Sequence, residues 1–161
     1  MIEHPIIIAI DPGKMTGVAV VERDRWGVTE SGVILRASIE LDEDTIITWL
    51  RMQLDSLGAK PYVIVMETFV INARTVSNSQ APWSLMTIGA VQQVCRDYGY
   101  PVENIKWQSP SNAKNVVPNE KLKRLGTWHK GGAGHANDAI RHAVLYAIST
   151  GFRSPALVRG D

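Results

Sequence analysis

Apolar residues cluster along the chain in runs of two kinds, and the kind of run predicts the element. In residues 6–10, "IIIAI", Ile and Ala follow one another with no polar alternation, which predicts a central strand buried on both faces, and the run stops at Asp11. The stretch from Gly17 to Glu22 and the one around Gly27 to Ala37 predict two further strands. The connection "RDRWG" between them suits a hairpin, so these strands should run antiparallel beside the first. From Asp42 to Leu57 the pattern changes: Ile46, Ile47, Leu50, Leu54 and Leu57 recur at three- and four-residue steps, and Asp42, Glu43 and Asp44 fall where the first turn of an amphipathic helix favours negative charge. After Pro61 a second unbroken apolar run, "YVIVME", predicts another buried strand, ending at Glu67. A polar stretch over 72–82 precedes a helix that Ser84 could cap and that reaches about Tyr98, and "NIKWQ" predicts a short strand. Residues 111–125 are weakly helical and interrupted by Pro118. Gly131, Gly132 and Gly134 then lead into a last helix, His135 to about Ser149, with Ala139, Ile140, Ala143, Val144, Ala147 and Ile148 on one face.

Three strands, a helix, a strand, a helix, a strand and terminal helices predict an α/β fold. Its mixed five-stranded sheet has the first three strands antiparallel, the later strands parallel to the first, and helices covering both. If the strands ending at Asp11 and Glu67 are neighbours, both carboxylates sit at the carboxyl edge of the sheet, where open α/β sheets bind ligands. A length of 161 residues suits a single domain over 1–161. The apolar content of 45% with 20% charged residues, and the lack of any apolar run near the roughly 18 residues a membrane span requires, lead to the expectation of a soluble, cytoplasmic protein. The single cysteine, Cys95, falls in an apolar helical pattern and is expected to be a buried, inert thiol.

Charge refines this picture. The net charge is only +1, but residues 106–130 carry Lys106, Lys114, Lys121, Lys123, Arg124 and Lys130 against Glu120 alone, whereas residues 1–60 are acid-rich. A basic segment on a near-neutral chain points to a polyanionic partner on one face.

The stretch "IIIAIDPGKMTG" raises two chemistries. A Walker-type phosphate loop is excluded by spacing, because Met15 follows Lys14 and no Gly stands five positions before Gly13. An actin-like phosphate hairpin needs two domains closing over a nucleotide, and the chain is long enough for one, so no nucleotide cofactor is expected. The other chemistry is metal-assisted phosphoryl transfer. Asp11 and Glu67 end buried strands, and "HANDA" puts His135 and Asp138 three residues apart on one helical face. Hard divalent cations take oxygen ligands, and two-metal sites need several carboxylates, a set that Asp11, Glu67 and Asp138 supply, with His135 able to ligate or to shuttle a proton.

With "AIDPGKMTG", "VIVMET" and "HANDAIRHA" in this order and at these separations, nearly the whole chain resembles the RuvC-type Holliday junction resolvases of the ribonuclease H-like superfamily, especially the small phage-encoded members. The resemblance implies a ribonuclease H-like fold in which Asp11, Glu67, His135 and Asp138 are catalytic and hold two Mg²⁺ ions, with Mn²⁺ as a substitute. It also implies a homodimer that cuts branched DNA, above all four-way junctions. On the same basis Lys14 and Thr16 become candidates to touch the DNA backbone. Phe69 lies near the position of an aromatic residue that wedges into the junction, and Lys114, Lys121 and Lys123 fall in the loop that grips DNA. The helix with Trp83, Leu85, Met86, Ile88, Val91 and Val94 offers apolar surface for a dimer. The competing readings are a flap, branched-DNA or RNA nuclease of the same fold, a noncatalytic junction binder, and an ATP-binding half-domain.

Overall fold

The computed structural model describes residues 4–76 and 81–158. Among them, β1 (Ile6–Asp11), β2 (Met15–Arg23), β3 (Val33–Asp42), β4 (Tyr62–Glu67) and β5 (Lys106–Gln108) form one sheet in the order β3-β2-β1-β4-β5. The pairs β1–β2 and β2–β3 are antiparallel, and β1–β4 and β4–β5 are parallel, as the connection lengths predict. The helices are α1 (Ile46–Leu57), α2 (Ala73–Val76), α3 (Ala81–Asp97), α4 (Pro110–Val116), α5 (Asn119–Arg124), α6 (His135–Ser149) and α7 (Pro155–Val158). Pro118 separates α4 from α5, and α6 has the bounds that its periodicity implies. None of these helices is long and apolar enough to cross a membrane.

Every residue of β1 is buried, because the strand serves two cores at once. Ile6, Ile8 and Ile10 pack with Val18, Val20, Ile64 and Met66 against α1 and α3. Ile7 and Ala9 join Ala19, Val21, Val63 and Val65 under α4, α5 and α6. Side chains alternate along a strand. Asp11 therefore continues the series of Ile7 and Ala9, Glu67 that of Val63 and Val65, and Gly17 that of Val21 and Ala19. All three face α6.

The helix lies close against this face because small residues line both sides. Ala136, Ala139, Ala143 and Ala147 are fully or almost fully buried on α6. Opposite them, a Cβ on Gly17 would stand 1.9 Å from the His135 carbonyl oxygen and 2.8 Å from the Ala136 nitrogen. Gly17 therefore serves less to tighten a turn than to let the first turn of α6 rest on β2, directly across from Asp11, with which it pairs. The same end of α6 is held from β3: Glu40 accepts backbone N–H bonds from Ala133 at 2.9 Å, Gly134 at 2.8 Å and Ala136 at 3.4 Å. Burial would raise the Glu40 carboxyl, but these donors outweigh it and hold it below its usual range.

Three expectations are corrected. The third strand starts at Val33 and not near Gly27, because Asp24 organises residues 24–32 into a loop, accepting bonds from the Trp26 amide at 2.9 Å and the Thr29 hydroxyl at 3.0 Å. That strand runs on to Asp42, which pairs with Met15, so the acids at 42–44 precede α1. Asp42 instead accepts from the Thr45 amide at 3.0 Å and the Thr45 hydroxyl at 2.7 Å. Ser84 caps nothing. Helix α3 is described from Ala81, Ser84 lies within it, and the buried Ser84 hydroxyl donates to the Pro12 carbonyl at 3.0 Å. Thr87, one turn on, donates to the Gly13 carbonyl at 3.3 Å, so two hydroxyls of α3 fasten the β1–β2 turn. Part of the polar stretch before α3, residues 77–80, lies outside the described residues. Cys95 is buried as expected, and burial pushes its thiol up to about 11.

Candidate active site

At the carboxyl edge of the sheet, a cleft of about 440 Å³ is lined by Asp11, Lys14, Glu67, Phe69, His135 and Asp138, together with the β1–β2 turn. Four elements build it: β1 supplies Asp11, β4 supplies Glu67, α6 supplies His135 and Asp138, and α3 supports the turn. The parallel register of β1 and β4, which sets Ile10 beside Met66, brings the two strand-ending acids to one level.

The carboxylates are each engaged by a nitrogen. His135 Nδ1 lies 3.0 Å from Asp11 Oδ2. Glu67 Oε2 is 2.8 Å from Nε2 of His142, whose Nδ1 is 2.8 Å from Gln108 Oε1. Asp138 accepts from Arg141 and lies 3.5 Å from Lys114 Nζ. Arg141 is itself buried and fixed from behind, since its Nε donates to the Val117 carbonyl at 2.7 Å and its other nitrogen to Asn119.

Burial pushes the Asp11 carboxyl above its ordinary range, and the negative charges of Glu67 and Asp138 add to the rise, while the bond from His135 opposes it. Reciprocally, the hydrogen bond to Asp11 holds the His135 imidazole above its ordinary value, against its own desolvation. A low-dielectric corner that also holds Glu67 and Asp138 disfavours the charge of Asp11.

That crowding bears on a metal. Among the described residues, no three His, Cys, Asp or Glu side chains converge on one point as they stand. Asp11 turns to His135, Glu67 to His142 and Asp138 to Arg141. The donor chemistry nevertheless fits a hard divalent cation, because three carboxylates line one cleft and repel one another there, a repulsion that a cation relieves.

The other expected contacts divide. Lys14 is exposed at the cleft, 5.8 Å above the Trp83 ring, and Phe69 is half-buried in the cleft wall. Thr16 is withdrawn from the expected DNA-contacting set: it is fully buried, and its hydroxyl donates to the Gly13 carbonyl at 3.0 Å, closing the turn from within. Lys114 points to Asp138, Lys121 donates to the Val116 carbonyl at 2.9 Å, and Lys123 lies 3.2 Å from Glu120 and 5.4 Å above the Trp128 ring. Of the apolar residues proposed for a dimer, Val91 and Val94 belong to the core, whereas Leu85 and Met86 are exposed.

Sequence reasoning missed four supporting residues. His142 had a signal, since it stands seven residues after His135 and four after Asp138 and so shares their face of α6. Arg141 follows Asp138 by three. Gln108 and Glu40 carry no local signal, because their roles come from pairing across β4–β5 and from the approach of β3 to α6.

No protein-family model matches the chain, and no curated protein sequence matches it. Solved structures do. RuvC of Thermus thermophilus superposes with a TM-score of 0.66 at 18% identity, covering 91% of this chain and 96% of that one. The same protein in complex with Holliday junction substrate gives 0.67 over the same shares. At this identity the likeness is one of architecture: the chain has the ribonuclease H-like fold of RuvC.

Proposed function

We propose that the protein is a divalent-metal-dependent endonuclease that hydrolyses phosphodiesters of branched DNA and resolves four-way junctions. The observation that carries this reading is the meeting of Asp11, Glu67, His135 and Asp138 from three elements in one cleft at the carboxyl edge of a RuvC-like sheet. Its support from outside the chain is a structural neighbour solved with Holliday junction substrate.

Asp11, Glu67 and Asp138 would hold the metal, with His135 beside them. The chemistry that Mg²⁺ or Mn²⁺ would supply there is Lewis acidity, toward an attacking water and a departing 3′ oxygen. The chain's own residues do the rest. His135 Nδ1 and Asp11 Oδ2 lie 3.0 Å apart, and with the shared proton on Nδ1 of a neutral imidazole, Asp11 is a carboxylate able to hold a cation. Nε2 of that imidazole is then the proton acceptor in the cleft. Gly17 lets the first turn of α6 rest on the sheet, and Arg141 ties Asp138 to the α4–α5 segment, so His135 and Asp138 are held in place. Lys14 at the rim neutralises a backbone phosphate, and Phe69 in the wall offers a face for an unstacked base. Lys114, Lys121 and Lys123 extend positive charge away from the cleft, so binding weakens with salt. Selectivity for branched DNA then rests on shape and on the spacing of two sites in a homodimer formed through the exposed apolar part of α3, without readout of base edges.

The test is a panel of end-labelled four-way junctions, flaps, linear duplex and RNA–DNA hybrid, each with Mg²⁺, Mn²⁺ or EDTA. Paired nicks confined to the junction are the expected result. Cutting of flaps or hybrids in preference would reassign the substrate, and cutting of none of them would end the nuclease reading.

A further inference from the structure

His142 stands on the sheet-facing side of α6, beyond His135 and Asp138 and among the aliphatic Ala139, Ile140, Ala143 and Val144, and it is 1% exposed. An imidazole in such a place costs stability unless both ring nitrogens find partners, and an aliphatic side chain would fill the site without that cost. Both nitrogens are satisfied, each at 2.8 Å, and the two partners lie on neighbouring strands: Glu67 at the end of β4 and Gln108 on β5, which pair with each other in the sheet register. The backbone of Gln108 is itself fixed, since its main-chain carbonyl accepts from the Thr68 amide at 2.8 Å and the Thr68 hydroxyl at 3.2 Å. With its amide nitrogen turned to Nδ1, Gln108 donates to that atom, and a neutral imidazole then carries Nε2–H for Glu67.

We infer that His142 is a positioning residue, held by Gln108, whose Nε2–H fixes one oxygen of Glu67 so that the other faces the cleft and the cation. The inference rests on the metal-dependent reading above and concerns how Glu67 is presented. A carboxylate at a strand end has free torsions, and a ligand fixed before the metal arrives loses less freedom on binding. The chain Gln108–His142–Glu67 supplies that order from beneath, without occupying the cleft.

The test measures Mn²⁺ uptake by the metal-free protein, from the free-ion signal in electron paramagnetic resonance, alongside thermal melts that confirm folding. His142→Gln can place its amide nitrogen near the position of Nε2 and keep the bond to Glu67, whereas His142→Asn is too short to reach it. The expected results are affinity within about threefold of wild type for His142→Gln and a loss of about 10- to 100-fold for His142→Asn, the range seen when a supporting partner of a metal ligand is removed. In a Glu67→Gln background, His142→Asn should cost nothing more, because it acts through Glu67. Gln108→Ala, at the half-buried outer end, should show part of the loss and decides the matter if His142→Asn does not fold. Wild-type affinity in both His142→Asn and Gln108→Ala, or equal losses for His142→Gln and His142→Asn, would overturn the inference while leaving the nuclease reading in place. Failure of the wild-type protein to take up Mn²⁺ would overturn both.

Discussion

Replacing Gly17 with alanine adds one methyl group at the point where α6 rests on the sheet. The new carbon would lie 1.9 Å from the His135 carbonyl oxygen and 2.1 Å from its carbonyl carbon. Neither neighbour is a flexible side-chain end; both are backbone. To restore an ordinary contact near 3.4 Å, the first turn of α6 must retreat by about 1.5 Å. That turn cannot move alone, because it is held by Glu40 through three amides and by the bond from His135 to Asp11. Overpacking of this kind costs about 1–3 kcal/mol and more where backbone must shift, so a loss of about 3 kcal/mol is expected. For a chain of this size it lowers Tm by about 6–12 °C. The same shift carries His135 and Asp138 away from Asp11, and a misplacement of about 1 Å costs about 100-fold in rate. Urea titration and single-turnover cleavage of a junction check both values. A Gly17→Ala protein within about 0.5 kcal/mol of wild type and equally active would refute the close approach of α6 and the role assigned to the glycine.

Other consequences are simpler to read. Asp11→Asn should abolish cleavage yet raise the Tm of the metal-free protein at neutral pH, since it removes a carboxylate whose charge burial and its neighbours disfavour while keeping an acceptor for His135. The sign follows from linkage: with both folded values raised, the Asp11 contribution is complete below 3.8 and that of His135 below 6.5, and each is lost as pH rises through the folded value. A difference in Tm between the variant and wild type that grew toward acid pH would contradict this. Glu40→Ala should cost about 1 kcal/mol by freeing the amides at the start of α6, measured by urea titration. Cys95 should resist a thiol reagent at pH 8 until the protein unfolds, because burial holds its thiol near 11. Lys14→Ala should lower the slope of log affinity for a junction against log salt by about one, measured by fluorescence anisotropy.

Much of this was legible in the sequence because it is local or periodic. Unbroken apolar runs located β1 and β4, a 3.6-residue repeat located α1 and α6, and the acids that end the runs located the cleft. What was not legible arises from contacts between distant segments. The extent of β3 depends on pairing of Asp42 with Met15, which no local pattern announces. Ser84 has the chemistry of a cap, and only the approach of α3 to Pro12 shows that its hydroxyl is used elsewhere. Thr16 follows Lys14 by two residues but is buried in β2, whereas Lys14 is exposed in the turn before that strand. Gly17 reads only as the start of a strand until α6 is in place. His142 is hidden for a related reason, since a histidine on an apolar helical face gains meaning only when Glu67 and Gln108 are brought beneath it.

The central claim is tested most directly by incubating a four-way junction, labelled separately on each strand, with wild-type protein and with Asp11→Asn, in Mn²⁺, Mg²⁺ or EDTA. The account predicts two symmetrically placed nicks with the metal-loaded wild-type protein, none in EDTA, and none with Asp11→Asn, which still shifts the junction in a binding gel. Nicking that persists in EDTA or in Asp11→Asn, or a junction left intact by the wild-type protein in both metals, would contradict it.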